Sequence, residues 1–312
     1  MDLFLNSALV VVSIFLLWKG ADFFVDSAVR VAKRFNISDL VIGLTLVAFG
    51  TSAPEFAVSI GAALTGRASM SIGNVIGSNV FNLGIILGSC AAIRAIPTTE
   101  KLVNRDGVFL VFSVALLAFM MNDGDLSQLN GAIALAMLGG YLIFMFINKE
   151  APDDVPGIDD PATWKDVPLA GLGLAMILGG AHFLVNGASD IARTFGLSEW
   201  AISVTVVAAG TSAPELVTSL NAALKGRFGI SAGNLIGSDL FNMLGVLGIT
   251  AVITPLPVEA TTRTSMWITL GSVALVVLLL RTGWRLTRWE GVALVAANLV
   301  RWGVDVFSTR ST

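Results

Sequence analysis

A duplication inside apolar sequence constrains this chain more than any other feature. Residues 38–93 align with residues 198–253 at a constant offset of 160 without a gap, and 29 of the 56 pairs are identical. Shared hydrophobicity does not produce the segment GTSAPE at both 50–55 and 210–215, so the two stretches are copies. They lie in sequence too apolar for an ordinary soluble domain: 55% of the 312 residues are hydrophobic and 13% charged, against about a quarter charged in soluble domains. Runs long enough to cross a bilayer, about 20 residues each, recur at 3–30, 39–65, 70–95, 102–121, 127–147, 167–192, 199–224, 229–253, 264–281 and 288–306. Five spans separate equivalent points, and an odd number of crossings turns the second copy upside down. The expected fold is therefore an all-α membrane protein of ten transmembrane helices in two inverted five-helix repeats, with helices 2 and 7 broken. In inverted-repeat proteins the substrate site lies near the midplane, where the copies meet.

An acidic, Pro-containing stretch at 149–165, with Asp153, Asp154, Asp159 and Asp160, reads as a solvated linker between repeats at 1–148 and 166–312. It lacks the ligand order of an EF-hand loop. With the N-terminus outside, thirteen Lys and Arg fall in inner loops and five in outer ones, with Lys19 inside span one. Cytoplasmic loops carry that excess, so both termini are expected outside a plasma or inner membrane. The start MDLFLNS has no basic leader, which argues for a retained first span rather than a cleaved signal peptide. Spans one and six, near 30 residues with their amphipathic ends, overshoot the hydrocarbon and should tilt. The net charge of −3 is divided between two membrane faces and says little about partners. Cys90, alone of its type, reads as a buried structural thiol. The sequon Asn36, Ile37, Ser38 falls in an inner loop, where glycosylation is not expected.

Glu55 and Glu215 stand well inside spans two and seven, where an ionisable group costs several kcal/mol and needs a compensating partner. No Lys or Arg is within a turn or two of either, and a bound cation supplies the missing partner. Pro54 and Pro214 have no amide hydrogen and clash with the carbonyls of Gly50 and Gly210, which predicts a break after each glycine. Broken helices at membrane depth expose carbonyl oxygens where these line a cavity or hold an ion. Thr51, Ser52, Thr211 and Ser212 place hydroxyls around the same breaks. Carboxylate, carbonyl and hydroxyl oxygens suit a hard cation such as Ca2+, which takes six to eight of them. With no His or Cys beside the motif, a soft-metal site is disfavoured. A Pro kink used only for packing is the competing account.

The segments GNVIGSNVFN at 73–82 and GNLIGSDLFN at 233–242 repeat the pattern. Ser78 and Asn82 are four apart, as are Ser238 and Asn242, so each pair shares a helical face. Gly73, Gly77, Gly233 and Gly237 recur at the spacing that lets membrane helices pack closely. The serines are candidate ligands or donors back to carbonyls; the buried amides need several partners each.

Together these segments resemble the two alpha repeats of the cation/Ca2+ exchanger superfamily, in the branch of Na+/Ca2+ exchangers and their short prokaryotic relatives. The resemblance implies a ten-helix inverted-repeat fold with a central diamond of four ion sites, one fitting Ca2+ and the others Na+, occupied alternately. It implies Glu55 and Glu215 as carboxylates shared by both ions, with the Thr51 and Thr211 carbonyls completing the Ca2+ site. The Ala48 and Ala208 carbonyls, with the side chains of Thr51, Thr211, Ser78 and Ser238, would form outer and inner Na+ sites, and Asn82 and Asn242 would take the remaining central position. Some relatives, including the K+-dependent branch, carry an aspartate where this chain has Asn242. Here the acid stands at Asp239, opposite Asn79 in the other repeat, as a ligand, a proton-binding group or a packing residue bonded to a neighbour. The proton-coupled branch with an acid in a GNxxE motif is not matched, since both copies continue as GNVIG and GNLIG.

The implied mechanism is alternating access, in which spans one and six slide against a core of spans two, three, seven and eight and Na+ displaces Ca2+ from shared oxygens. A proton-coupled Ca2+ exchanger is the nearest rival. An intramembrane hydrolase using the two carboxylates as acid and base is a remote one, which requires the carboxyls in direct contact. No GxxxxGK[ST] motif points to a nucleotide-driven pump, and no enzyme activity, cofactor, nucleic acid or obligate protein partner is expected beyond the lipid bilayer. Lys19 and Asp22 read as an i, i+3 ion pair with Asp26 a turn on, and the offset places His182 and Asn186 opposite the two acids. His182 reads as a satisfied interfacial imidazole, and Trp284, Trp289 and Trp302 as interfacial belt residues.

Overall fold

The computed structural model describes residues 3–148, 163–196, 206 and 208–308. Along this chain we number α1 Leu3–Arg34, α2 Asp39–Thr51, α3 Ala53–Leu64, α4 Ala68–Ile93, α5 Leu102–Asp123, α6 Gln128–Ile147 and α7 Asp166–Thr194. There follow α8 Ala208–Thr211, α9 Ala213–Leu224, α10 Phe228–Ile253, α11 Ala260–Arg281 and α12 Arg288–Ser308. Among the described residues, seven helices are long and apolar enough to cross a membrane, and α2 with α3 makes an eighth, bent by 47°. α12 is helical over 21 residues but falls short on that measure. The linker at 149–162 and the first part of span seven lie outside the described residues. The expected spans and the observed helices otherwise agree to within a few residues. α1 and α7, at 32 and 29 residues, are the long pair that the sequence led us to expect.

The bend between α2 and α3 falls at Ser52 (φ −77°, ψ 4°), two residues beyond the expected position after Gly50. Pro54 removes the amide that would reach the Gly50 carbonyl, yet the Ser52 amide still reaches Ala48 at 3.1 Å, so the first segment holds its last turn before the chain turns. Ser212 takes the same conformation (φ −89°, ψ 8°) between α8 and α9. Both α4 and α10 contain a π-helical turn, Phe81–Ile86 and Phe241–Val246, at positions 160 residues apart. The expected i, i+4 face of Ser78 and Asn82 is thereby altered, because Asn82 already sits in the wider turn, a device common at functional sites.

Four two-residue strands tie the loops together: β1 Ile96–Pro97 pairs with β4 Arg285–Leu286, and β2 Asp125–Leu126 with β3 Leu256–Pro257. The offset of 160 carries β1 onto β3 and β2 onto β4, so it converts one sheet into the other. α5 runs from β1 to β2 and α11 from β3 to β4, so the sheets cap opposite ends of the bundle and these packed helices are antiparallel. The same offset relates two close backbone contacts between helices. A Cβ on Gly291 would stand 2.5 Å from the Gly88 carbonyl oxygen, and one on Gly131 would stand 2.6 Å from that of Gly248.

Buried apolar side chains form two clusters. The larger runs through α2, α4, α5, α6, α10 and α11, with Leu44, Ile86, Leu110, Met243 and Val273 among its members. The smaller joins α1 to α7, α2 and α9 through Leu17, Phe24, Ile177 and Ala213. Phe4, Phe15, Leu129 and Ile147 are outward-facing and exposed, a distribution suited to lipid rather than water. Cys90 is buried with a free thiol. Trp289 is exposed, as a belt residue should be, and Trp284 is at the edge of exposure; the Trp302 side chain lies outside the described residues.

Because the clash at Gly291 is with backbone, Gly291→Ala should force α12 away from α4. Overpacking of this kind costs about 1–3 kcal/mol, and a fluorescence melt in detergent should show the midpoint lowered by several degrees. Gly271→Ala, where an added Cβ meets nothing within 4 Å, should leave it unchanged.

Candidate cation site

The two bends deliver Glu55 and Glu215 to the first turns of α3 and α9, each beside its proline. Both carboxylates are fully buried, and the side-chain donors that reach them are hydroxyls, one for each from the opposite copy. Ser52 Oγ donates to Glu215 Oε1 at 3.1 Å, and Ser212 Oγ donates to Glu55 Oε1 at 3.2 Å. Ser78 Oγ adds a third contact, to Glu55 Oε1 at 3.4 Å. The pattern is reciprocal: each bend supplies the donor for the other bend's acid.

A second layer holds the first. Thr51 Oγ1 donates to Asn234 Oδ1 at 3.1 Å and lies 3.5 Å from Ser238 Oγ, while Asn234 Nδ2 donates to Ser219 Oγ at 2.9 Å. In the other copy Asn74 Nδ2 donates to Ser59 Oγ at 3.0 Å. Asn82 Nδ2 donates to Asp239 Oδ1 at 3.0 Å, Asn79 Nδ2 to the Asp239 carbonyl at 3.3 Å, and Asn242 Nδ2 to Asn79 Oδ1 at 3.0 Å. The π-helical turns bring Asn82 and Asn242 into this centre.

What the cluster lacks is donors. Glu55 Oε2, Glu215 Oε2, Asp239 Oδ2, Asn82 Oδ1 and Asn242 Oδ1 are all buried without a hydrogen-bond partner among the described residues. Such groups are costly to bury unpaired, and the two glutamates are close enough to repel each other. Five acceptor oxygens without donors suit a hard cation, which prefers oxygen ligands. Among the described residues no three His, Cys, Asp or Glu side chains gather as a metal cluster, so the acids act with amides and hydroxyls.

Thr51, Ser52, Glu55, Ser78, Asn82, Ser212, Glu215, Ser238, Asp239 and Asn242 are all buried in this region, as expected from their motifs, and Thr211 is nearly so. Ala48 is buried, and its carbonyl accepts from the Ser52 amide and from Thr51 Oγ1 at 3.3 Å. Ala208 opens α8. The sequence reading passed over Asn74, Asn234, Ser59 and Ser219, although each pair is identical across the repeats and so carried a signal. His182 bonds Asn186 at 3.0 Å and lines a cavity of about 400 Å³ between α3 and α7, together with Pro54, Ala57 and Thr211. Another cavity, of about 170 Å³, reaches Ser78 and Asn74 beside Arg301.

An oxygen-lined centre held between proline-broken helices inside an apolar bundle defines the class: a multi-pass membrane transporter. The comparison with known proteins narrows it. The family model for sodium/calcium exchanger proteins matches residues 5–148 and 167–300, and the chain belongs to that family. It is 37% identical over 304 residues to the putative antiporter CaxA of Alkalimonas amylolytica, covering 92% of this chain and 94% of the relative. To the sodium/calcium exchanger MaX1 of Methanosarcina acetivorans it is 31% identical, covering 93% and 95%. The solved sodium-calcium exchanger NCX_Mj superposes with a TM-score of 0.86 at 31% identity, covering 96% of this chain and 98% of that one. These are exchangers rather than enzymes, and the intramembrane hydrolase reading is set aside; the hydrogen bonds at both carboxylates come from hydroxyls.

Asn234→Ala should test the second layer, since it leaves Ser219 and Thr51 without their shared partner. A buried polar group left unsatisfied costs about 1–3 kcal/mol, so thermal unfolding should shift down by several degrees, and Asn234→Asp should recover part of that loss.

Proposed function

We propose that the protein exchanges Ca2+ for Na+ across a cell membrane by alternating access, with the reciprocal bends as its ion site. The observation that carries this reading is the set of five buried acceptor oxygens on and near two glutamates, each of which takes a hydroxyl donor from the opposite copy. Glu55 and Glu215 are the shared carboxylates, with the Thr51 and Thr211 carbonyls around Ca2+. The Ala48 and Ala208 carbonyls, the hydroxyls of Thr51, Thr211, Ser78 and Ser238, and the amides of Asn82 and Asn242 serve Na+. Ser52 and Ser212 hold the carboxylates in place. Asp239 contributes its second carboxylate oxygen as a further ligand near Asn82, the role favoured by its unpartnered Oδ2.

Two glutamates offer two negative charges, which one Ca2+ balances, so several Na+ must share the same oxygens to replace it. That competition couples the fluxes. The names of MaX1 and NCX_Mj, both called sodium/calcium exchangers, support the choice of ions. The reading takes the chain as two inverted five-helix repeats at 1–148 and 166–312, ten helices in all, joined by a cytoplasmic linker, with both termini outside. The antiparallel course of α5 and α11 and the exchange of the two sheets by the offset support that plan. α1 and α7, which share the smaller core cluster, are the sliding pair.

Proteoliposomes loaded with Na+, H+ or K+ in turn, and diluted into radioactive Ca2+, separate the possible coupling ions. Uptake should follow the Na+ gradient; uptake driven by a pH gradient alone would replace this reading with proton-coupled exchange. Removing one buried charged partner costs about 2–5 kcal/mol, so Glu55→Gln should lower Ca2+ uptake by roughly two orders of magnitude. Wild-type rates in that variant would remove Glu55 from the site.

A further inference from the structure

The repeat predicts two routes to the glutamates, one from each face, yet the structure treats them differently. The cavity of about 400 Å³ that reaches Pro54, the residue before Glu55, is lined by Ala57 and Val58 of α3 and by Ala181 and His182 of α7. Adding or subtracting 160 gives Val217 and Thr218 of α9 with Ala21 and Asp22 of α1. Those residues are packed together: Ala21 and Thr218 are fully buried, and Val217 lies against the cluster that joins α1 to α9.

The shut interface is also the more polar of the two. Along α9, Glu215, Thr218, Asn221 and Lys225 follow at helical spacing. Asn221 Nδ2 donates to Asp22 Oδ1 at 2.8 Å. Lys225 Nζ stands 3.0 Å from Asp22 Oδ1 and 2.8 Å from Asp26 Oδ1, and Lys19 lies 3.6 Å from Asp22. Asn221 is 1% exposed and its Oδ1 has no partner; nor has Thr218 Oγ1. Asp22, Asp26 and Lys225 are partly exposed, so this ladder runs from the buried glutamate to the surface. At the repeat-related positions stand His182, Asn186, Val58, Gly61 and Thr65, which offer no ion pair.

We propose that the contact between α1 and α9 is the closed mouth of the second route and that Lys225 is its plug. Its ammonium occupies the two carboxylates that a divalent cation would meet on entering. The proposal rests on the exchange reading for what travels along the route. When α1 slides, Lys225 must leave Asp22 and Asp26, and the oxygens of Asn221 and Thr218 become available to a passing cation. Among the described residues no ion pair fastens α7 to α3, so the plug biases the molecule toward the conformation described here.

The test reads access rather than flux. In a Cys90→Ala background, Thr218→Cys is exposed to a cationic and to an anionic methanethiosulfonate reagent. Adding Lys225→Met should accelerate both reagents by roughly three- to tenfold, the worth of a few partly exposed ion pairs. A purely electrostatic effect would speed the cationic reagent and slow the anionic one, and would overturn the proposal. Lys225→Arg should stay near the starting rate, and Asp22→Asn with Asp26→Asn should reproduce the methionine result. Unchanged labelling in Lys225→Met, in a protein that still exchanges Ca2+, would also overturn the plug. Failure of the unaltered chain to carry Ca2+ would count against the exchange reading instead.

Discussion

Two carboxylates with no basic side chain beside them, buried in a bundle whose outer surface suits lipid, set the terms for everything else in this molecule. Ionised groups in such a place cost several kcal/mol unless something compensates. Hydroxyl donors meet only part of the need, because each glutamate keeps one oxygen without a partner. The shorter of these contacts cross between the copies: Ser52 serves Glu215 and Ser212 serves Glu55, while Ser78 adds a longer one to Glu55 from its own copy. Neither repeat can therefore make a complete site alone, and the two bends must face each other across the core. The prolines contribute by ending one hydrogen-bonded segment and starting the next at the same depth. Without the break, Ser52 would continue the helix instead of turning its side chain to the opposite acid.

Much of this was legible in the sequence because it rests on local chemistry. Span lengths follow from apolar runs, and the duplicated GTSAPE marks both bends through the missing proline amide. The bend nevertheless falls at Ser52 rather than immediately after Gly50, since the amides before the proline are free to complete their turn. The π-helical turns at Phe81–Ile86 and Phe241–Val246 left no signature in the spacing of glycines and asparagines, and they alter which residues share a face. Asn234 could have been found from its identity with Asn74 across the offset; its partner Thr51 could not, being 183 residues away. Lys225 likewise carries no sign in the sequence that its partners lie in α1. Pairings between distant segments depend on how helices are arranged, which composition and period do not specify.

Division of the core into two clusters gives the bundle unequal stiffness. The larger cluster surrounds the asparagines and the π-helical turns with close-packed apolar side chains, where small displacements are costly. α1 and α7 meet instead through small residues: a Cβ on Gly173 would lie 2.6 Å from the Phe24 amide, and one on Gly20 would lie 2.8 Å from the Gly173 carbonyl. Close backbone approach of this kind gives contact area with few interlocking side chains. In the exchange mechanism proposed above, such a pair moves as a unit along the rest of the bundle while the hydroxyls around the two glutamates stay where they are.

Symmetry explains how the site is made, and departures from symmetry explain why it need not behave alike toward both faces. A chain of two identical copies would have two conformations of equal energy, each the inverse of the other. Here the copies differ where the difference matters. Asp239 stands opposite Asn79, so the centre carries a third acid on one side only, bonded to Asn82 from the other repeat. Lys225 stands opposite Thr65, and among the described residues the contact of α1 with α9 is held by ion pairs while its repeat-related counterpart is not. Both changes replace a neutral side chain by an ionisable one in the second copy. The first acts at the ion centre, where it alters the charge that bound cations must balance; the second acts at the surface end of the ladder, where it alters the relative energy of the two conformations. A ligand shifts such an equilibrium only by its unequal affinity for the two states. The second repeat's charges therefore supply the inequality that the duplication by itself would have cancelled.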